Sequence, residues 1–307
     1  LPDAGQGLAT GAWDPILLEG VDLVVASPGF SERSGPVVDT LERGLPIWSE
    51  IEFAYRQLDA PVVAVTGTNG KTSVTEATAA MLDASGKNAP AAGNIGAPLS
   101  DFTDRTYDAL VVEVSSFQLR FVDRFHPVAA ALLNVAEDHL DWHGTPQAYA
   151  AAKARIFERQ GEDDLLVYDA DDEGASDLVR SARSVLHPVS ASHLPEGGSG
   201  VEGGRLHLPG FSVPLEDLGS ADPAHIVDMA AAAVLALDRG AVPEGVESVL
   251  RSFRPGSHRR QVVATIGEDA IVTVAAVDHV GIVATKEGVV TGIAEGCVAA
   301  GTGMQEV

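Results

Sequence analysis

Lys71 and Thr72, which follow the glycine-containing turn Gly67, Thr68, Asn69, Gly70, are the residues of this chain best suited to chemistry on a polyphosphate. Glycines let backbone N–H groups turn toward an anion, and a helix start adds its positive dipole end. A lysine reaches the outer phosphates and a threonine hydroxyl can meet Mg²⁺. Ser73 belongs to the same helix start. The strict phosphate-loop pattern has Gly where this chain has Val65, so T-G-T-N-G-K-T is a shortened variant. An ordinary strand–turn–helix with a solvated lysine shares the spacing. The β-branched run before the turn (Val62, Val63, Val65) and the helical pattern of Ser73 to Leu82 after it favour a nucleoside triphosphate site.

Four further clusters could complete such a site. The run from Val111 to Leu119 delivers Glu113, Ser115, Ser116 and Gln118 to the end of a buried strand. Glu113, one strand from the phosphate turn, is placed to hold Mg²⁺, which prefers oxygen ligands; alone it reads as a strand-end carboxylate. In Leu133 to His143, His139 stands among Glu137, Asp138 and Asp141, as either a metal ligand or part of a solvated acidic loop. Tyr149 and Lys153 are four residues apart and share a helix face, where a lysine is usually solvated. Ser257-His258-Arg259-Arg260 reads either as a basic linker or as an arginine closing over a triphosphate.

These residues must be carried by an alternation of strands and helices. Strands are expected at 61–66, 108–114, 128–133, 164–168 and 184–188, with helices near 71–84, 146–159, 173–182, 223–238 and 244–252. Ahead of them, Val21–Ala26 reads as a strand ending in Ser27-Pro28-Gly29, followed by a helix over Pro36–Arg43, a strand at Leu45–Trp48 and a helix at Glu50–Gln57. Residues 190–210 read as an excursion with a short hairpin, and after Arg260 only short β-prone runs appear. The expected fold is α/β: an open, mostly parallel sheet with flanking helices and its ligand at the carboxyl ends of the strands. A partial Rossmann-like domain (1–58), a central ATP-binding domain (59–254) and a β-prone C-terminal segment (255–307) complete the organisation.

The chain has 307 residues, of which 45% are hydrophobic and 21% charged. Its formal charge of −24 argues against nucleic acid or an anionic membrane as partner. A single cysteine, Cys297, excludes an internal disulfide and fits a reducing compartment. The most apolar stretch, Met229–Leu237, is far shorter than the ~20 residues a membrane span needs, and no leader pattern opens the chain. A cytoplasmic location, no membrane insertion and a monomeric state are the expectations.

Taken together in order, T-G-T-N-G-K-T, E-V-S-S-F-Q-L from Glu113, L-N-V-A-E-D-H-L-D from Leu133, Y-A-A-A-K-A-R-I-F from Tyr149 and S-H-R-R from Ser257 resemble the Mur ligase family. These ATP-dependent enzymes add amino acids to the peptidoglycan precursor, and the S-S-F-Q-L form resembles the D-glutamate-adding branch. The resemblance covers about residues 20 to 264. It implies that Lys71 and Thr72 hold ATP phosphates and Mg²⁺, with Glu113 on the same metal. It assigns His139 and Lys153 to a second Mg²⁺, Lys153 as a carbamate made with CO₂. Asn94, Ser115, Gln118 and Asn134 would line the UDP-linked muramoyl-alanine substrate, Ser27, Pro28 and Gly29 would sit by the uridine diphosphate, and Arg259 would contact phosphate. The implied reaction proceeds through an acyl phosphate, which the amine of D-glutamate then attacks.

Where the family carries H-N-x-x-N near ATP, this chain reads His225-Ile226-Val227-Asp228-Met229. Gln261 stands where the family has an acidic residue, and residues 267–307 do not resemble the family's third domain. The chain is therefore expected to be truncated at both ends. An inactive nucleotide- or precursor-binding remnant and a folate–glutamate ligase are the alternative readings.

Overall fold

A computed structural model describes residues 13–27, 29–136, 138–254, 271–272, 282–285 and 288–291. The chain forms two compact units, Leu1–Phe253 and Arg254–Val307. Its first unit includes, after a 3₁₀ turn at Pro15–Leu18, β1 (Val24–Ala26), α1 (Gly35–Glu42), β2 (Ile47–Ser49) and α2 (Glu50–Tyr55), β1 and β2 pairing in parallel. The main body follows as β3 (Val62–Thr66), α3 (Lys71–Asp83), β4 (Ala91–Gly93), β5 (Leu110–Glu113), α4 (Ser116–Arg120), β6 (Ala129–Leu132), α5 (Leu140–His143) and α6 (Pro146–Ala154). It continues through β7 (Leu165–Asp169), α7 (Glu173–Val179), β8 (Val185–Ser190), β9 (Ser199–Glu202), β10 (Arg205–Leu208), β11 (Phe211–Pro214), α8 (Pro223–Asp238) and α9 (Pro243–Ser252).

Nine strands form one sheet in the order β11-β10-β9-β8-β7-β6-β3-β5-β4, parallel from β9 to β4. β3 lies inside it and all five of its residues are buried. Side chains alternate between the two faces, as strand geometry requires. Val63, Val65, Val111, Ala129 and Ala131 join the core beneath α3, α8 and α9. Val62, Ala64, Leu110, Val112, Ala130 and Leu132 join the opposite core with Ile51, Leu119, Ile156 and Val179. The buried alanines Ala230 to Ala233 let α8 lie close to α3 and the sheet. Such two-sided coverage explains why the strands read as continuous apolar runs.

After β3 the chain builds β4 and β5 on one side, then crosses to β6 on the other. Val65 pairs in register with Glu113, and Thr66 with Leu132. The turn after β3 therefore lies where the strand order reverses, the crevice in which open α/β sheets take ligands.

The structure departs from the sequence expectations in several places. The helix expected over 146–159 ends at Ala154 and tightens into a 3₁₀ turn, Arg155–Phe157. Residues 199–214 form a three-stranded extension of the sheet, of which β10 and β11 are antiparallel. Strand β4 is a further departure: Ala-Ala-Gly carries no β-branched signal. In the second unit β12 (Ile271–Val272), β13 (Ile282–Thr285) and β14 (Gly288–Thr291) form an antiparallel sheet. No described helix is long and apolar enough to cross a membrane.

Candidate functional site

Gly70 is the N-cap of α3, in the left-handed region at φ +84°, and has no side chain of its own with which to cap the helix. A Cβ on Gly70 would meet Leu133 Cδ1 at 3.0 Å and Asp228 Cγ at 3.1 Å, and one on Gly67 would meet Leu133 Cβ at 3.0 Å. Gly70 thus needs glycine for conformation and for space, and Gly67 for space. N–H groups in the first turn of a helix have no acceptor within it, and here that turn is Lys71, Thr72 and Ser73. Lys71 folds back over the turn, its Nζ donating to the carbonyls of Gly67 and Thr68, both at 3.0 Å.

Asn134 braces the turn from the end of β6. Thr68 N–H donates to its carbonyl at 3.0 Å and Asn69 N–H to its Oδ1 at 2.7 Å, while Asn134 Nδ2 donates to the Asn69 carbonyl at 3.2 Å. The amides of Thr68 and Asn69 are therefore engaged in holding the loop's shape.

Glu113 ends β5 with its side chain buried. Thr72 Oγ1 donates to Glu113 Oε2, and Asn94 Nδ2 donates to Oε1 at 2.9 Å. Helix start, carboxylate and amide thus meet at one point, supplied by β3–α3, β5 and the loop after β4. The hydroxyl and carboxylate are hard oxygen donors of the kind Mg²⁺ takes together with substrate phosphates. Beside them lies a cavity of about 340 Å³ lined by Glu50, Gly93, Asn94, Ile95, Gly96, Pro98 and Gln118.

Ser115 and Gln118 have a second use. Gln118 N–H donates to Ser115 Oγ at 3.2 Å while Ser115 N–H donates to Gln118 Oε1 at 3.0 Å, a reciprocal capping box that starts α4. The S-x-x-Q spacing was the signal for this helix, which the strand reading passed over.

Lys153 is 1% exposed, so the solvated reading of this helix lysine does not hold. Its ammonium lies 4.6 Å from the Tyr149 ring centre. Burial, reinforced by the Lys71 charge and opposed by Asp138, holds its pKa well below the usual lysine value. Tyr149 hydroxyl and Thr68 Oγ1 share a hydrogen bond of 3.0 Å, and burial pushes the phenol up to about 12.

His139, at φ +50° and about half exposed, has its ring 4.8 Å from Phe117 and 6.4 Å from Tyr149. The backbone N–H of His139 donates to Asp138 Oδ1 at 2.8 Å. His143, one helical turn on, is buried, stacked on Phe117 at 5.5 Å and hydrogen-bonded to Ser116 Oγ at 3.0 Å. Burial, then the neighbouring His139 and Lys153, lower it to about 4.

The structure thus gathers Gly67 to Ser73, Asn94, Glu113 and Asn134 at one sheet end, with Tyr149 linking the turn to Lys153 and His139. Ser27 and Gly29 belong to the loop after β1; Pro28, Glu137 and Arg259 lie outside the described residues. Sequence reasoning missed His143, whose spacing from His139 was the available signal. It noted Asp228 without placing it against the turn.

Residues 65–192 match the Mur ligase middle domain. UDP-N-acetylmuramoylalanine–D-glutamate ligase of Frankia casuarinae is 42% identical over 253 residues, 80% of this chain and 53% of that protein. The enzyme of the same name from Geobacillus kaustophilus is 39% identical over 82% of this chain and 56% of its own length. This chain therefore spans about half the length of the relatives it matches. Among solved structures, MurF from Acinetobacter baumannii superposes with a TM-score of 0.57 at 18% identity, covering 79% of this chain and 62% of that one. That likeness concerns the fold alone.

Proposed function

We propose that this chain, whose residues 65–192 match the Mur ligase middle domain, acts as an ATP-dependent ligase joining D-glutamate to UDP-N-acetylmuramoyl-L-alanine. The observation that carries the reading is the junction of Thr72, Glu113 and Asn94 beside the left-handed Gly70. A helix N-terminus and a lysine would hold the polyphosphate, and two hard oxygen donors would hold its Mg²⁺. Bound Mg²⁺ would screen the repulsion between the substrate carboxylate and the triphosphate.

In this reading the precursor's carboxylate attacks the γ-phosphorus of ATP, ADP leaves, and an acyl phosphate forms. The amine of D-glutamate then adds to the acyl carbon, and inorganic phosphate departs. Lys71 moves from the carbonyls of Gly67 and Thr68 to the outer phosphates, and Asn94 keeps Glu113 oriented. The cavity beside Asn94 and Gln118 receives the muramoyl-alanine end, with Ser115 contributing from the start of α4. Ser27, Pro28 and Gly29 serve the uridine diphosphate end. Lys153, kept low in basicity by burial, loses its proton more readily than a solvated lysine, and the freed amine would add CO₂ to form a carbamate with loss of a second proton. Such a carbamate and His139 would suit a second Mg²⁺, because an ammonium cannot ligate a cation. Catalysis rests on positioning and charge screening.

The test is calorimetric titration of the chain with Mg·ATP, followed by assay for the glutamate-extended product. Lys71→Ala should weaken nucleotide binding at least tenfold; equal affinity for the two proteins would refute the site. A second reading, nucleotide or precursor binding without turnover, is supported by Ile226 and Met229 standing where the family resemblance leads one to expect asparagines. Product formed by the purified chain would eliminate it.

A further inference from the structure

Asp228 sits on α8, buried, with its carboxyl carbon 3.1 Å from where a Cβ on Gly70 would be. It thus places a carboxylate against the glycine that opens α3, one residue from Lys71. The surrounding groups are arranged for an anion: a helix start opened by a left-handed glycine, a lysine folded over the turn, and a threonine hydroxyl. A carboxylate within this cluster opposes the charge the rest of it attracts. We propose that Asp228 is a specificity-determining residue that makes the turn discriminate between metal-complexed and metal-free nucleoside triphosphate. The proposal rests on the nucleotide-site reading above and adds a property to it.

The physical basis is the dependence of Coulomb repulsion on ligand charge. Free ATP carries about twice the net charge of its magnesium complex, so a fixed carboxylate penalises it about twice as much in free energy. Removing the carboxylate should tighten Mg·nucleotide about threefold and free nucleotide about tenfold. A purely structural role for Asp228 would change both affinities by one common factor and leave their ratio alone.

The experiment titrates the full chain, by calorimetry, with a non-hydrolysable ATP analogue in excess Mg²⁺ and again in EDTA. Wild type is compared with Asp228→Asn and, as a second variant of different shape, Asp228→Ser, each checked for folding by circular dichroism. The expected result is a ratio of affinities narrowed about threefold in either variant, mainly through tighter binding of the free analogue. An unchanged or widened ratio, with wild type binding normally, would overturn the role of Asp228 and leave the nucleotide site standing. Failure of both variants to fold would assign Asp228 to structure and overturn it equally. Wild type binding neither form would overturn the site reading and this inference together.

Discussion

Glycines at the two ends of α3 provide a matched test of how tightly the phosphate turn is built. Gly70 opens the helix at φ +84° and Gly86 follows its end at φ +77°. Both backbones occupy the left-handed region, where an alanine costs about 1 kcal/mol more than glycine. Their surroundings differ. A Cβ on Gly86 meets nothing within 4 Å, whereas one on Gly70 runs into Leu133 Cδ1 and the Asp228 carboxylate. Overpacking of that kind adds about 1–3 kcal/mol. Gly86→Ala should therefore destabilise by about 1 kcal/mol and Gly70→Ala by about 2–4 kcal/mol, read as shifts in urea midpoint at unchanged slope. The difference isolates the close approach of α8 and β6 to the turn, since the backbone term is common to both. Equal losses in the two variants would show that α8 does not press on Gly70 and would remove the ground for placing Asp228 beside the nucleotide.

Two other outcomes concern stability. Glu52, fully buried on α2, accepts from the N–H groups of Asp123, Arg124 and Phe125 at 2.9–3.0 Å and from Arg56 Nε. Glu52→Ala should cost about 3–5 kcal/mol by stranding an arginine and three amides, against less than about 1 kcal/mol for Asp177→Ala in the exposed Arg180 pair; comparable losses in chemical denaturation would contradict this. His143, lowered to about 4, favours its neutral form when folded, so its contribution is complete above about pH 6.5 and disappears as pH falls toward 4. Wild type should lose about 2 kcal/mol more than His143→Phe over that interval. Parallel pH profiles for the two proteins would exclude the effect.

Much of the fold could be read from the chain because strands buried on both faces leave apolar runs that are hard to mistake. Val62 to Thr66 and Leu110 to Glu113 were legible on that ground. Ala91–Gly93 was not, since its place at the sheet edge depends on pairing with β5. Ser115 and Gln118 stood out as polar residues at a strand end, yet their reciprocal capping depends on how the backbone turns after β5. Lys153 illustrates the widest gap, because a lysine in an alanine-rich helix normally faces water. Its burial comes from the packing of α6 against α4 and α5.

By itself the sequence determined the α/β alternation, the glycine turn with its lysine and threonine, and the family likeness, for each is a matter of local residue types in a local order. Tertiary structure alone decided that Glu113 meets both Thr72 and Asn94, that Asn134 holds the turn, and that Asp228 presses on Gly70. Those contacts join residues 19 or more apart in the chain and arise where the sheet reverses its order, so no periodicity within one segment could announce them.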